Sequence, residues 1–476
     1  MTGNKTIAII TILSLIFFAA VAFDLTPFLR GPAPYPPEWR WPYLFINTTQ
    51  KIWFPLIIIL LIITFYSQII SHQEEYLAKY EKLILLTAVL CLMLFQLSVT
   101  YFSRSGLGVL IHRVVDPGLN GYFTASLSVK NHPDYLRRYN SFVLNLPMHA
   151  KGHPPGAILL THYFTQLVSP LSKLPLLTKL HPRQSDVLSI WKSLSAAEKT
   201  SAILLSMFIS FLSSLSLLPL YYLARFLYDK KTALTTVLLF IFTPALTLFL
   251  PLYDVLYPLF SLLCVFTAMA ALKHKNIFVA FLAGMLLYAG SFFSLSILPV
   301  IIIIIYIFFL NIFKSKNLYS YLKPAAFYCM GVLSSYVFLK QVWDYDQLAV
   351  SRTVMTGLAH RSYWWWLIYN PYDFFIFSGV AASLLFISNF FIIKRRHITN
   401  FPLFVGFILM LIILDISGVY RAETGRVWLP FMPFLIIEAA AFMCKRTFFS
   451  QKAIVTILAL QAVQVLIIQE FWVPLW

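Results

Sequence analysis

An all-α, polytopic membrane fold is predicted by three observations on this 476-residue chain: 60% of its residues are apolar, only 11% are charged, and the apolar residues collect in solid blocks. An average soluble domain carries about 45–50% apolar and about 25% charged residues, so a water-soluble fold is excluded. Disorder is excluded too, because it needs low hydrophobicity and high charge. A bilayer helix takes about 20 apolar residues with few charges. Such blocks recur from Ile7 to Phe471, at a mean hydropathy of +0.79. A transmembrane β-barrel would alternate in segments of about ten residues, whereas runs such as 298–313 are continuous.

The blocks predict thirteen spans, at 5–24, 53–71, 83–103, 200–227, 232–250, 255–272, 276–294, 297–313, 324–340, 373–393, 400–419, 428–444 and 452–470; a different hairpin within 276–313 would make them twelve. The first block has a basic start and an Ala20-Val-Ala22 resembling a signal-peptidase site. Its apolar body, Ile7–Phe23, exceeds the usual signal core of about 7–15 residues, which favours a retained span. With the N-terminus cytoplasmic, the short inner turns carry Lys79/Lys82, Lys230/Lys231, Lys273/Lys275, Lys314/Lys316, Lys394/Arg395/Arg396 and Lys445/Arg446. That is the positive-inside pattern. It accounts for the placement of a formal charge of +18 without invoking nucleic acid.

The same orientation puts 25–52, 104–199, 341–372 and 420–427 on the outer, extracytoplasmic face. Loops beyond about 12–15 residues are usually functional, so 104–199 leads as the carrier of chemistry, with 341–372 second. Within it Gly156–Val168 is too short to span, contains His162 and Gln166, and is followed by Pro170 and Pro175, which predicts a helix lying at the interface. Aromatic residues crowd Tyr35–Trp41 and Tyr363–Tyr369, where amphipathic rings suit the headgroup level. Cys91, Cys264, Cys329 and Cys444 all fall in apolar runs, which leaves no pair in the polar loops for a disulfide or zinc. There is no internal repeat, so residues 1–476 read as a single membrane domain. Asn47-Thr-Thr is a glycosylation sequon on the outer side, and no Walker A, Rossmann or HExxH pattern occurs.

Loop 104–199 opens with Arg113-Val-Val-Asp116-Pro-Gly-Leu-Asn120-Gly-Tyr122 and reaches Met148-His149-Ala-Lys151-Gly-His153-Pro154-Pro155-Gly156. A carboxylate shortly after a span, then a short helix and a basic Pro-Pro turn, resembles the first extracytoplasmic loop of GT-C glycosyltransferases. The nearest type is family 39, which includes protein O-mannosyltransferases and the lipid A aminoarabinose transferase. Leu218–Asp254 is similar to that family's paired spans with a basic inner turn, a proline and an outer acid. The stretch 418–433, with Arg421, Glu423, Arg426, Pro430 and Pro433, is similar to its late Arg-aromatic-Leu-Pro segment. The resemblance covers about residues 83–440 in outline and implies a GT-C-like bundle that moves a sugar, with inversion, from a polyprenyl-phosphate donor to a glycan, lipid or protein acceptor.

Such a transfer needs a base for the acceptor hydroxyl and cations for the departing phosphate. Asp116 is the expected base, with Asp24 its rival. Arg113, His149, Lys151, His153, Arg421 and Arg426 are expected to face the phosphate, arginine forks matching its oxygens well. Tyr122, His360, Arg361, Trp364 and Trp365 are expected to contact substrate. The bland alternatives are a helix start at the interface with bases touching headgroups and an aromatic belt. Asp344-Tyr-Asp346 has the form of an acidic metal motif, but Asp-x-Asp arises readily by chance and the resemblance implies no metal, so no cofactor is expected. Asp415 and Glu438 lie inside apolar spans, where acids are costly and default to functional candidates. A transporter or lipid flippase is the rival class; it would be favoured by broken helices and midplane ionisable groups.

Overall fold

The computed structural model describes residues 3–35, 37–44, 49–71, 79–129, 132–147, 149–173, 182, 185–314, 317–356, 361–393, 401–445 and 450–472. Asn47, Met148, Pro175, Lys316, His360, Arg446 and the basic turn 394–396 lie outside these residues. Helices make up the described chain, as its composition predicts. Eight are long and apolar enough to cross a bilayer: Asn4–Ala22, Trp53–Ile70, Glu81–Phe102, Ala196–Leu227, Tyr253–His274, Leu295–Phe313, Tyr319–Trp343 and Gln451–Phe471. Each coincides with an apolar block of the sequence. A ninth is formed if Tyr363–Ser378 and Val380–Asn389, bent by 111° at their junction, count as one span. The other blocks give shorter helices, Ile277–Phe293, Pro402–Ile416 and Leu429–Cys444, or a broken pair, Lys230–Ile241 and Pro244–Leu248. Pro244 causes that last break, since proline starts a helix readily but cannot continue one.

Two compact units divide the chain: Met1–Gly106 with Phe211–Leu250 and Arg361–Pro474, and Leu107–Ser210 with Pro251–His360 and Leu475–Trp476. In the first unit Gly3–Ala22 packs on Gln451–Phe471, and Met432–Lys445 packs on both Lys230–Ile241 and Val380–Ile393. The bend at Gly379 has an identifiable cause. Gln464, on Gln451–Phe471, accepts from Val380 N at 2.8 Å and donates to Ile376 O at 2.8 Å. Gln461, one turn earlier, accepts from Ala382 N at 3.5 Å and donates to Ser378 O at 3.2 Å. Each glutamine amide thus sits inside one opened i to i−4 bond of a helix that would otherwise run straight, the insertion that produces a sharp kink. Gly379 is required at the apex, with φ of +102° and room for no side chain, because a Cβ would stand 1.9 Å from Gln461 Oε1.

In the second unit Ile277–Phe293 packs along Tyr319–Trp343. Close approach is set by two glycines: a Cβ on Gly284 would lie 2.1 Å from Tyr328 O, and one on Gly331 2.0 Å from Phe281 O. Small residues of this kind let helix backbones meet where lipid supplies no hydrophobic drive for association. Asn276 caps Ile277–Phe293 by accepting from the amides of Phe278 and Val279. The helix expected at Gly156–Val168 forms over those residues.

Candidate functional site

The second unit gathers the acid and the Pro-Pro turn of the long loop. Gly108–Val115 is a helix with every residue buried, and Asp116 ends it. The Asp116 carboxylate accepts the amide of Gly118 at 2.7 Å on Oδ1, while Oδ2 lies 3.5 Å from His112 Nε2. The chain then turns into the short helix Tyr122–Ser126. The Tyr122 ring stands edge-on to His153, centroids 5.6 Å apart, and to Tyr253 at 5.0 Å. One aromatic side chain therefore joins three separate stretches of sequence. The His153 turn is held from behind by Tyr139, whose hydroxyl donates to His153 O at 2.8 Å. Burial pushes the Tyr139 phenol well above its usual range, so it stays a donor.

His149, Lys151 and His153 are all half-buried on this turn, and Lys151 N donates to Pro147 O at 3.1 Å. Burial also pushes Arg113 down to about 10, which leaves it charged at neutral pH. Tyr253 bonds Thr161 on the helix that starts after Pro155, tying the turn to Tyr253–Leu256. Asp254, adjacent to Tyr253, is itself buried. His112 is absent from the sequence-based candidates, although it was visible as a histidine four positions before Asp116 on one helix face, and Asp254 enters there only as the acid that closes the stretch Leu218–Asp254. Beside the turn, Gly156, Leu159, Tyr163, Phe292, Phe338 and Trp343 contribute to the lining of an apolar cavity of about 700 Å³, within the size range of ligand sites.

The first unit gathers the late arginines. Arg361 and Arg421 clasp each other through the main chain: Arg361 Nη1 donates to Arg421 O at 2.9 Å and Arg421 Nη1 to Arg361 O at 2.7 Å. Arg421 also donates to Gly418 O and stands 5.6 Å over the Tyr363 ring. Arg426 is buried and pairs with Glu423 at 2.6 Å, with Arg361 at 4.0 Å from the same carboxylate. Three guanidiniums thus meet at one corner. Around it, Glu38 accepts from Ser362 N and Trp366 Nε1, and Asp373 accepts from Trp41 Nε1 and Gly425 N. These two buried acids fasten the segment after the first span to Tyr363–Ser378 and to the short helix Thr424–Val427. Asp24, the rival base, gives both its oxygens to Arg30, at 3.0 and 2.9 Å. Trp364 is exposed, and Trp365 packs edgewise against Tyr369. Asn370 Nδ2 donates to Asp415, and Glu438 accepts from Tyr228 and Asn389.

Asp344 and Asp346 do separate work. Asp344 lies 3.5 Å from Arg137. Asp346 caps Gln347–Thr356 by accepting from the amides of Leu348 and Ala349, and pairs with Lys340 at 3.1 Å. Burial acts upward on its carboxyl, but those amides and the ammonium hold it below the ordinary carboxylate range. Among the described residues no three His, Cys, Asp or Glu side chains group as metal ligands.

No protein-family model matches this chain, and no curated protein matches it.

Proposed function

We propose that the chain is an inverting glycosyltransferase of GT-C type that takes a sugar from a polyprenyl-phosphate donor at the extracytoplasmic face of the membrane. The observation that carries the reading is the junction made by Tyr122, which packs the turn following Asp116 against His153 of the basic Pro-Pro turn and against Tyr253. The Asp116 carboxylate takes the proton of the acceptor hydroxyl, and the oxygen attacks the anomeric carbon from the side opposite the phosphate. The bond from that carbon to the phosphate oxygen breaks, and its electron pair leaves with the phosphate. Single displacement inverts the centre. Lys151, His149, His153 and Arg113 supply positive charge and donors as the leaving group gains charge, and Tyr122 contacts the sugar. The apolar cavity beginning at Gly156 suits the hydrocarbon of a lipid-linked substrate. Asp116 is preferred to Asp24 because the Arg30 fork occupies both Asp24 oxygens.

Asp116→Asn keeps the shape and removes the proton acceptor, so transfer from a synthetic polyprenyl-phosphate sugar should fall by roughly 10²–10⁴ with donor binding retained. Normal transfer in that variant, with loss in Asp24→Asn, moves the base to Asp24; normal transfer in both ends the acid-base assignment. One observation favours a transporter or flippase instead, since broken helices line substrate paths in such proteins and Tyr363–Ser378 with Val380–Asn389 is broken. Against it, the opened backbone groups are taken up by Gln461 and Gln464. Lipid translocation by purified protein in vesicles, without sugar transfer, would decide for the rival.

A further inference from the structure

We propose that His112 is a positioning residue for Asp116, the two side chains forming an acid-imidazole dyad at the end of Gly108–Val115; this rests on the reading of Asp116 as the base. His112 is only 5% exposed, and its Nε2 faces Asp116 Oδ2 at 3.5 Å. That spacing is longer than a formed N–H···O bond, and it is the loose spacing common in unliganded sites, where such contacts tighten once substrate is bound. The opposite oxygen, Oδ1, is already fixed by Gly118 N at 2.7 Å. Held at Oδ1, and at Oδ2 once the His112 contact tightens, the carboxylate stops rotating about its last bond, and its remaining lone pairs keep one direction. At 21% exposure the side chain still opens to an incoming hydroxyl.

Stability alone does not explain this arrangement. The carboxylate stands at a helix C-terminus, where negative charge is disfavoured. A His-Asp pair at i, i+4 on an exposed helix does no more than offset that. Burying a titratable ring to face an acid in that place costs stability, and what it secures is direction. Imidazole in the tautomer protonated at Nε2 donates to Oδ2 and remains a donor after the carboxylate has accepted the hydroxyl proton. No proton is left unassigned: it moves from acceptor oxygen to Asp116 and from there to water after product leaves.

The test is a kinetic cycle on the full-length protein in lipid nanodiscs, using the synthetic polyprenyl-phosphate sugar. His112→Leu removes the donor and His112→Gln places an amide N–H near the position of Nε2. Loss of orientation should lower kcat by roughly 10²-fold with donor KM unchanged, His112→Gln should recover most of it, and His112→Leu should add nothing in an Asp116→Asn background, since coupled residues are not additive. A purely packing role predicts lower melting temperature, no rescue by Gln, and equal effects with and without Asp116. Full activity in a folded His112→Leu, while Asp116→Asn is dead, overturns the dyad and leaves the base intact. Full activity in Asp116→Asn overturns the base and the dyad with it. Where His112→Leu fails to fold, His112→Asn, which cannot reach Oδ2, replaces it in the cycle.

Discussion

Gln464→Leu is expected to destabilise the protein by about 1–3 kcal/mol, a large effect for a nearly isosteric change inside a bilayer helix. One backbone group loses its partner, the Val380 N–H bonded to Gln464 Oε1 at 2.8 Å, while the Ile376 carbonyl gives up the Gln464 amide at 2.8 Å but keeps the Gly379 N–H at 2.9 Å. An unsatisfied buried group costs about 1–3 kcal/mol, and several where no water can reach. Leucine brings little offset, because lipid tails are as apolar as the new side chain. The competing figure is the average of about 0.6 kcal/mol for a side-chain hydrogen bond between membrane helices, small because released partners find others. Here the freed Val380 N–H cannot return to the Ile376 carbonyl without closing the 111° bend at Gly379. Gln461→Leu should cost less, about 1–2 kcal/mol, since its contacts at 3.5 and 3.2 Å are longer. Thermal unfolding in one detergent, with correct insertion checked by protease protection, gives both values. A Gln464→Leu protein within about 0.5 kcal/mol of the parent, or an inverted order of the two variants, would refute the inserted-amide account.

Three further outcomes are expected. With Cys329 replaced by Ser, a cysteine at Ser141 should react with an impermeant thiol reagent in intact cells and one at His274 should not; the reverse pattern inverts the topology and removes the outer-face site. Asp346→Ala should cost about 0.5–2 kcal/mol through loss of the helix cap. Because the folded carboxyl is depressed, that contribution is present above the unfolded pKa of about 3.9 and disappears as pH falls through the lower folded value; a variant as stable as the parent at pH 7 contradicts it, and loss of transfer without loss of stability would restore a metal role. Glu38→Gln should place an amide N–H against either Ser362 N or Trp366 Nε1, lowering stability by about 1–3 kcal/mol; an unchanged melting temperature would show that the segment after the first span is fastened elsewhere.

What was legible in the sequence follows from the range of the interactions. Eight blocks read correctly as long helices because a bilayer helix satisfies its backbone within itself, so contiguous composition is enough. The block 232–250 also reads as apolar throughout, yet it is interrupted at Pro244, a residue whose effect is local and visible. The block 373–393 is different. Its helix begins at Tyr363 and bends at Gly379 because of glutamines some eighty residues later, and composition carries no trace of that pairing. Distance in sequence also hid the mutual clasp of Arg361 and Arg421. The Asp116 and His112 spacing lay about one helical turn apart and was open to reading; a histidine in a mostly apolar octet carries no mark that distinguishes a partner from a core residue.

Acids near the ends of spans are many in this chain, and residue type alone ranks them equally; their partners separate them. Asp24 meets a guanidinium at both oxygens, Glu38 meets an amide and an indole, Asp373 an indole and an amide, and Asp346 two amides and an ammonium. Glu38 and Asp373 join distant pieces of chain, so those carboxylates serve as fasteners whose donors would be left buried if they turned to a substrate, while Asp24 and Asp346 are each closed by a cation within six residues. Asp116 is bound by one amide of its own turn and faced at 3.5 Å by an imidazole four residues back. Those contacts are local, and they fasten nothing distant. A carboxylate whose partners fix its direction without spending it on the fold is the kind a proton transfer requires, and the same criterion explains why an arginine-paired aspartate is the weaker candidate although it too follows a span.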